Sequence, residues 1–372
     1  MRRPREPCRH FRSVSGVNRT IGGSLYTRAP DGAARARTRA GWRCCHMSGS
    51  AMAARSDVGC RQIITLVLAV CTPLAVPVAS GRAPASSQIA YMSPVGGNWE
   101  ILAVDTTTRE VAQLTRNRVD DYAPRWSPTG EHVAFYSDVG GFNWEVFVMR
   151  SDGTDIRRLT HRLDLDMAPT WYGDRTVAYT ARTGKAFAVH TTDIDADASE
   201  PLGVPSGVAL SWSPTARRFL YVSADAKGTR LRICSGDGDC RDLLTPGADD
   251  PVMPRWSPRG DQITFAGHTA GVRDVYTIAA DGARLARMTN HPAHDSHPVW
   301  SPDGSQIAFS SRRNGNFGIY TMDAEGGNIR RLINVDAGAS SLDWFDPREL
   351  SVSPLGKRSV AWAWLRRLGH RP

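Results

Sequence analysis

Between residues 88 and 345, apolar and polar positions alternate in short runs. Trp144-Glu145-Val146-Phe147-Val148-Met149 and Ile319-Tyr320-Thr321-Met322 show the period of two that puts alternate side chains on opposite faces of a strand. Turn residues separate the runs: Ser-Pro-Arg-Gly at 257–260, Ser-Pro-Asp-Gly at 301–304, and Asp-Gly at 152–153 and 281–282. Asp-Gly supplies the positive φ that a tight hairpin needs. No helical period of useful length interrupts the pattern, which excludes an α-solenoid.

The pattern is also self-similar. Tryptophan recurs at Trp126, Trp171, Trp212, Trp256, Trp300 and Trp344, and four of these continue as Trp-Ser-Pro. A second series follows each turn: Ile89-Ala90-Tyr91, Val133-Ala134-Phe135, Val177-Ala178-Tyr179, Phe219-Leu220-Tyr221, Ile263-Thr264-Phe265 and Ile307-Ala308-Phe309. A third series holds the alternating strands. A fourth ends in Leu-Thr or its equivalent at Leu114-Thr115, Leu159-Thr160, Leu244-Thr245 and Met288-Thr289. Four strands in each unit of about 44 residues is the arithmetic of a propeller blade. A β-sandwich would not repeat its tryptophan in this way.

The ends predict how the ring closes. The chain enters at a second segment, Ile89-Ala90-Tyr91, and leaves through a lone first segment, Ser341-Leu342-Asp343-Trp344. The expected fold is all-β: a six-bladed β-propeller, four antiparallel strands per blade, with one blade shared between the N- and C-terminal strands. Closure of this kind hides two sheet edges.

The run Ala123-Pro124-Arg125-Trp126-Ser127-Pro128-Thr129-Gly130 and the run Pro298-Val299-Trp300-Ser301-Pro302-Asp303-Gly304 resemble the TolB-type propeller repeat. The resemblance covers about 88–345. TolB proper resembles an α/β domain followed by a propeller, and no segment suited to that domain lies between the apolar stretch and blade one. The translocation role is therefore not carried over with the repeat.

The formal net charge of +9 at first suggests a nucleic-acid partner. Its distribution removes that suggestion. Residues 1–46 hold eleven Arg and two acids, Glu6 and Asp31, whereas residues 82–345 hold 27 basic and 32 acidic side chains. A mildly acidic body has no footprint for phosphate backbones. Arg55 and Arg61 flank the apolar stretch Ile63 to Ala79, and Ala79-Ser80-Gly81 follows. That order reads as a signal peptide, too short and proline-broken to anchor in a bilayer. The domain reading is a basic leader (1–46), a signal peptide (47–81), a linker (82–87), the propeller (88–345) and a tail on the closing blade (346–372). Leu68-Ala69-Val70-Cys71 approximates a lipoprotein box, so membrane attachment is expected only with lipidation at Cys71. Of seven cysteines, only Cys234 and Cys240 lie in the body, and an exported pair reads as a disulfide.

Candidate chemistry sits in the loops before each repeat tryptophan, which propeller geometry gathers at one mouth of the central channel. They carry Asp120, Asp121, Asp164, Asp166, Asp249, Asp250, Asp295 and Asp336. One reading is a set of Asx turns. The other is an acidic mouth that holds a divalent cation or a basic segment of a partner. His294, Asp295 and His297 form a possible metal set with no closed zinc spacing. Asp193-Ile194-Asp195-Ala196-Asp197 lacks the glycine and distal glutamate of a calcium loop. No Gly-x-Ser-x-Gly nucleophile elbow occurs in the propeller or after it. The expectation is an exported, non-enzymatic binding or scaffold propeller, periplasmic or secreted. Its expected partner is an envelope or extracellular protein or a small ligand, without cofactor or nucleic acid. The alternative is a metal-assisted polysaccharide lyase or hydrolase that uses the His/Asp mouth.

Overall fold

The computed structural model describes residues 82–352, apart from 141–142, 163, 185, 197, 206, 216–217, 227 and 237. The basic leader, the signal-like stretch and the tail from 353 onward lie outside the described residues. Turn clusters cut the apolar runs of the propeller short, so among the described residues nearly all regular structure is strand. Among the described residues no helix is long and apolar enough to cross a membrane.

Six four-stranded antiparallel sheets form the blades. Blade one holds β1 (Gln88–Val95), β2 (Asn98–Asp105) and β3 (Val111–Gln113). Blade two holds β4 (Asp121–Trp126), β5 (His132–Asp138), β6 (Trp144–Arg150) and β7 (Arg157–Arg158). Blade three holds β8 (Asp166–Trp171), β9 (Thr176–Thr183), β10 (Ala186–Asp193) and β11 (Ser199–Pro205). Blade four holds β12 (Val208–Trp212), β13 (Arg218–Asp225), β14 (Gly228–Ser235) and β15 (Cys240–Leu243). Blade five holds β16 (Asp249–Trp256), β17 (Gln262–Thr269), β18 (Val272–Ala279) and β19 (Ala286–Arg287). Blade six holds β20 (Asp295–Trp300), β21 (Gln306–Asn314), β22 (Asn316–Asp323) and β23 (Arg330–Val335). The last strand, β24 (Ser340–Phe345), returns to blade one and pairs with β1, Gln88 opposite Phe345 and Ala90 opposite Asp343.

The core lies between blades, where each blade's apolar face meets its neighbour. Ala90, Ile101, Trp126, Val133, Phe135 and Phe345 join blades one and two. Leu220, Leu231, Trp256, Ile263 and Phe265 join blades four and five. The repeat tryptophans are part of this packing: Trp126, Trp171, Trp256 and Trp300 are buried. Two also tie neighbours together by donating Nε1–H to the inner strand before them, Trp171 to Arg125 O at 2.9 Å and Trp256 to Ser211 O at 3.3 Å. Large aromatics with one polar atom suit such a seam.

Every inner strand carries a β-bulge that the sequence pattern does not announce. Ala123, Ala168, Ala209, Met253, His297 and Ser341 each lie three residues before the repeat tryptophan, and each has φ between 51° and 57°. The pairing register shifts at these places, as between Tyr122 and Arg125 or between Ser296 and Val299. A bulge bends its strand and increases its twist. Six in phase curve the inner strands in the same sense around the channel.

At the other end of the inner strands, Ser-Pro turns close on glycine. Gly130, Gly260 and Gly304 all have positive φ and donate N–H to Ser127, Ser257 and Ser301. A Cβ on Gly130 would stand 2.1 Å from the Phe345 ring, so glycine is also needed there for the closing strand to pack. Residues 82–87 run over this base: Ser151 Oγ donates to Arg82 O at 2.8 Å, and Ala83 packs on the core of blades one and two.

Candidate functional site

The loops before the inner strands meet the tips of the hairpins between second and third strands, and together they make the rim of one mouth. The rim is built by side chains that cap the neighbouring blade's backbone. Asp120 Oδ1 accepts the Trp99 N–H at 2.8 Å, and its other oxygen accepts the Tyr122 hydroxyl at 3.0 Å. Asp250 Oδ1 accepts the Thr229 N–H at 3.1 Å. His294 occupies the equivalent place in blade six, and its Nδ1 accepts the Arg273 N–H at 2.9 Å. An imidazole nitrogen that accepts carries no proton, so His294 holds its proton on Nε2.

The eight carboxylates picked out by the sequence thus divide. Asp120 and Asp250 are Asx-type caps. Asp249 and Asp336 are exposed. Asp164 is half-buried and pairs with Arg182 at 3.5 Å. Asp121, Asp166 and Asp295, five residues before a repeat tryptophan, are fully buried. Asp295 is held by Arg313 at 2.8 Å. Asp121 accepts from Asn117 Nδ2 at 2.6 Å, and burial, with Glu100 adding to it, pushes its carboxyl up to about 6. Asp166 is pushed up to about 7 by burial and then by the neighbouring Glu145, against a smaller opposing pull from Arg162.

Three further buried acids were passed over by the sequence reading. Glu100, Glu145 and Asp274, at the head of the third strands, are also buried. Each accepts the hydroxyl of the Leu-Thr threonine: Thr115 at 2.6 Å, Thr160 at 2.5 Å and Thr289 at 3.3 Å. The same hydroxyl accepts the N–H of Ile101, Val146 or Val275. Arg158 and Arg287 complete the second and third of these sets. The signal was the fixed interval of fifteen residues from acid to threonine, visible in all three blades.

The histidines do not converge. His297 is buried and shares Nδ1 with the Ser296 and Ser310 hydroxyls at 3.1 and 3.2 Å, and burial pushes its imidazole down to about 3. His294 faces His268 instead, with ring centroids 6.5 Å apart. Among the described residues, no three of His, Cys, Asp and Glu come together in a group suited to a metal ion. Cys234 and Cys240 stand opposite each other in β14 and β15 and form a disulfide, with Cα atoms 4.1 Å apart.

The rim of blade two also gathers aromatic rings. Tyr122 and Tyr136 are cross-strand partners stacked at 5.2 Å, and Trp144 lies 5.5 Å from Tyr136. All three are half-buried.

A family model described as the TolB beta propeller domain matches residues 74–250 and 177–347. The chain belongs to the TolB β-propeller domain family. Among solved structures, TolB from Acinetobacter baumannii aligns with a TM-score of 0.60 at 15% identity, over 69% of this chain and 66% of that one. A putative TolB from Agrobacterium tumefaciens aligns with a TM-score of 0.55 at 17% identity, over 69% of this chain and 91% of that one. The hydrazine synthase of Kuenenia stuttgartiensis shares the fold at 14% identity and a TM-score of 0.56, over 72% of this chain and 48% of that one. At these identities the likeness concerns the TolB-type fold, and the chain spans about two thirds of the A. baumannii protein. Functions of the whole relatives do not follow from it.

Proposed function

We propose that this TolB-family propeller is an exported binding or scaffold protein that recognises an envelope or extracellular protein, or a small ligand, at the rim of its mouth. The observation that carries this reading is the make-up of that rim. Half-buried Tyr122, Tyr136 and Trp144 stack beside Asp120, and exposed Asp249 and Asp336 come from other parts of the ring. Aromatic rings with few charges around them are what recognition surfaces collect, because they give contact area at low entropic cost. Rim carboxylates add selection for a basic partner segment and speed its approach. The caps on Asp120, Asp250 and His294 hold the rim backbone in place, so less order is lost on binding.

The test is capture from an envelope extract with residues 82–372 as bait, read by mass spectrometry. A triple variant, Trp144→Ala with Asp249→Asn and Asp336→Asn, should lose the partner that the parent retains. Arg259→Gln, exposed on the opposite face, should retain it. Equal capture by all three baits would remove the mouth from the reading.

A further inference from the structure

On the face opposite the mouth, a cavity of about 180 Å³ opens at the seam between blades six and one. Gln306 and Thr321 line it from blade six. Gln306 lies two residues before Ala308 in β21, and Thr321 stands opposite Ala308 in β22. The period of two puts all three side chains on one face of the sheet. Ala308 is part of the core between blades six and one, so that face looks toward blade one. Leu332 and Trp344 pack against the same core and complete the wall. Four of the repeat tryptophans are buried, but Trp344 is half-buried. Trp171 and Trp256 give Nε1–H to the inner strand before them, whereas Trp344 gives its own to Ser87 Oγ at 2.9 Å. That bond holds the indole in place as a wall of an open cavity. Gln306 gives its backbone N–H to Ser301 Oγ at 2.9 Å, which leaves its carboxamide for a ligand.

From this arrangement we infer that the cavity binds one uncharged sugar ring, either free or as the end unit of a glycan. A pyranose has C–H groups on its faces and hydroxyls around its edge. The faces match an indole, which is apolar over most of its area. The hydroxyls match the Gln306 carboxamide, which both donates and accepts, and the Thr321 hydroxyl. Among the described residues the wall also holds two carboxylates, Asp303 and Asp346. Arg348 takes both oxygens of Asp346, at 2.9 and 2.5 Å. Asp303 accepts from the Ser301 and Ser305 hydroxyls at 2.5 and 2.8 Å and from the Ser305 N–H at 3.0 Å. A carboxylate has about four acceptor positions, so Asp303 keeps one for a ligand hydroxyl. Such a wall does not suit an anion, and the committed carboxylates do not gather around a metal ion. At about 30 Å³ per water molecule the cavity holds about six waters, the bulk of one sugar ring with its hydroxyls. Its walls are paired strands and a turn closed by Ser301, so the site is formed before binding.

The experiment is saturation-transfer NMR of the full-length chain with glucose, galactose and N-acetylglucosamine, each also as its methyl glycoside. A saturable signal is expected from at least one sugar. A methyl glycoside that binds as well as the free sugar identifies a site for a glycan end, and a preference for the free sugar identifies a site for the monosaccharide. Gln306→Ala should weaken binding about three- to tenfold, the worth of one neutral hydrogen bond, and Thr321→Val should act alike. Gln306→Arg should abolish binding with little change in melting temperature. Arg218 holds the same place in blade four and lies over the next repeat tryptophan, Trp256, at 5.2 Å, so the fold already accommodates that cover. Absence of a saturable signal from every sugar, or equal binding by the parent and both Gln306 variants, overturns the assignment.

Discussion

Asp166 shows how far one side chain departs from its look in the sequence. In the loop it reads as a mouth acid, yet its carboxyl is fully buried. Glu145 and Asp164 press against its charged form, and Arg162 offsets only part of this. Its folded pKa, about 7, lies above the ordinary value near 4, so the native state holds the proton more tightly than the unfolded chain does. Stability from this group is complete below about pH 4 and is lost as pH rises through about 7. The parent should therefore melt at a higher temperature near pH 4.5 than near pH 8. Asp166→Asn should flatten that slope and gain on the order of 2–4 kcal/mol at neutral pH, at about 1.4 kcal/mol per unit. Thermal unfolding of both proteins from pH 4 to 8 checks this, and parallel curves would count against it. The sequence could not separate Asp120 from Asp121, because adjacent strand residues face opposite ways and only the pairing partner decides which is buried.

At the level of the strand, the alternating runs and Ser-Pro turns placed the elements well, since each depends on neighbours a few residues away. The register of β14 against β15 was legible for that reason: Cys234 lies one residue from the end of one strand, and Cys240 begins the next after a short glycine-rich turn. The bulges were not legible. Positive φ usually advertises itself through glycine, and here alanine, methionine, histidine and serine carry it. A non-glycine residue pays roughly 1–2 kcal/mol in this region. Ala168 is a suitable probe, being half-buried with φ of 51°. Ala168→Gly removes the steric strain but adds unfolded-chain entropy, so it should come out near neutral or mildly stabilising. Ala168→Val adds a β-branched side chain in a region that such residues rarely enter, and should cost about 2 kcal/mol or more. Urea unfolding measures both. If valine were tolerated as well as glycine, the bulge would be plastic and no source of strain. The same reasoning explains why His297 is an unpromising ligand: its backbone serves the bulge, and its ring is turned into the Ser296–Ser310 pair.

For the molecule as a whole, closure is the feature on which the other contacts depend. The lone C-terminal segment and the missing first strand of blade one already implied a shared blade, and β24 fills that place. Its contribution exceeds one pairing edge. Asp343 Oδ2 accepts the Trp126 N–H of blade two at 2.7 Å, Phe345 packs 5.5 Å from the Trp126 ring, and Leu342 joins the core between blades six and one. Trp344 Nε1 donates to Ser87 Oγ at 2.9 Å, which ties the strand to the start of the propeller. Removing residues 340–372 therefore bares the inner edge of β1 and opens two seams at once, one to blade two and one to blade six. Exposed edges of this kind recruit other strands, so aggregation should accompany the loss. The truncated protein should lose its cooperative melt or unfold at a much lower temperature. A synthetic peptide of residues 338–352, added in trans, should restore the transition in a concentration-dependent way, since a ligand that binds only the folded state stabilises it by mass action. The same peptide with Asp343→Ala and Phe345→Ala should rescue poorly, because it keeps the backbone pairing and loses both ties to blade two. A truncated protein that melts like the parent would mean that five complete blades and three strands hold together without the clasp.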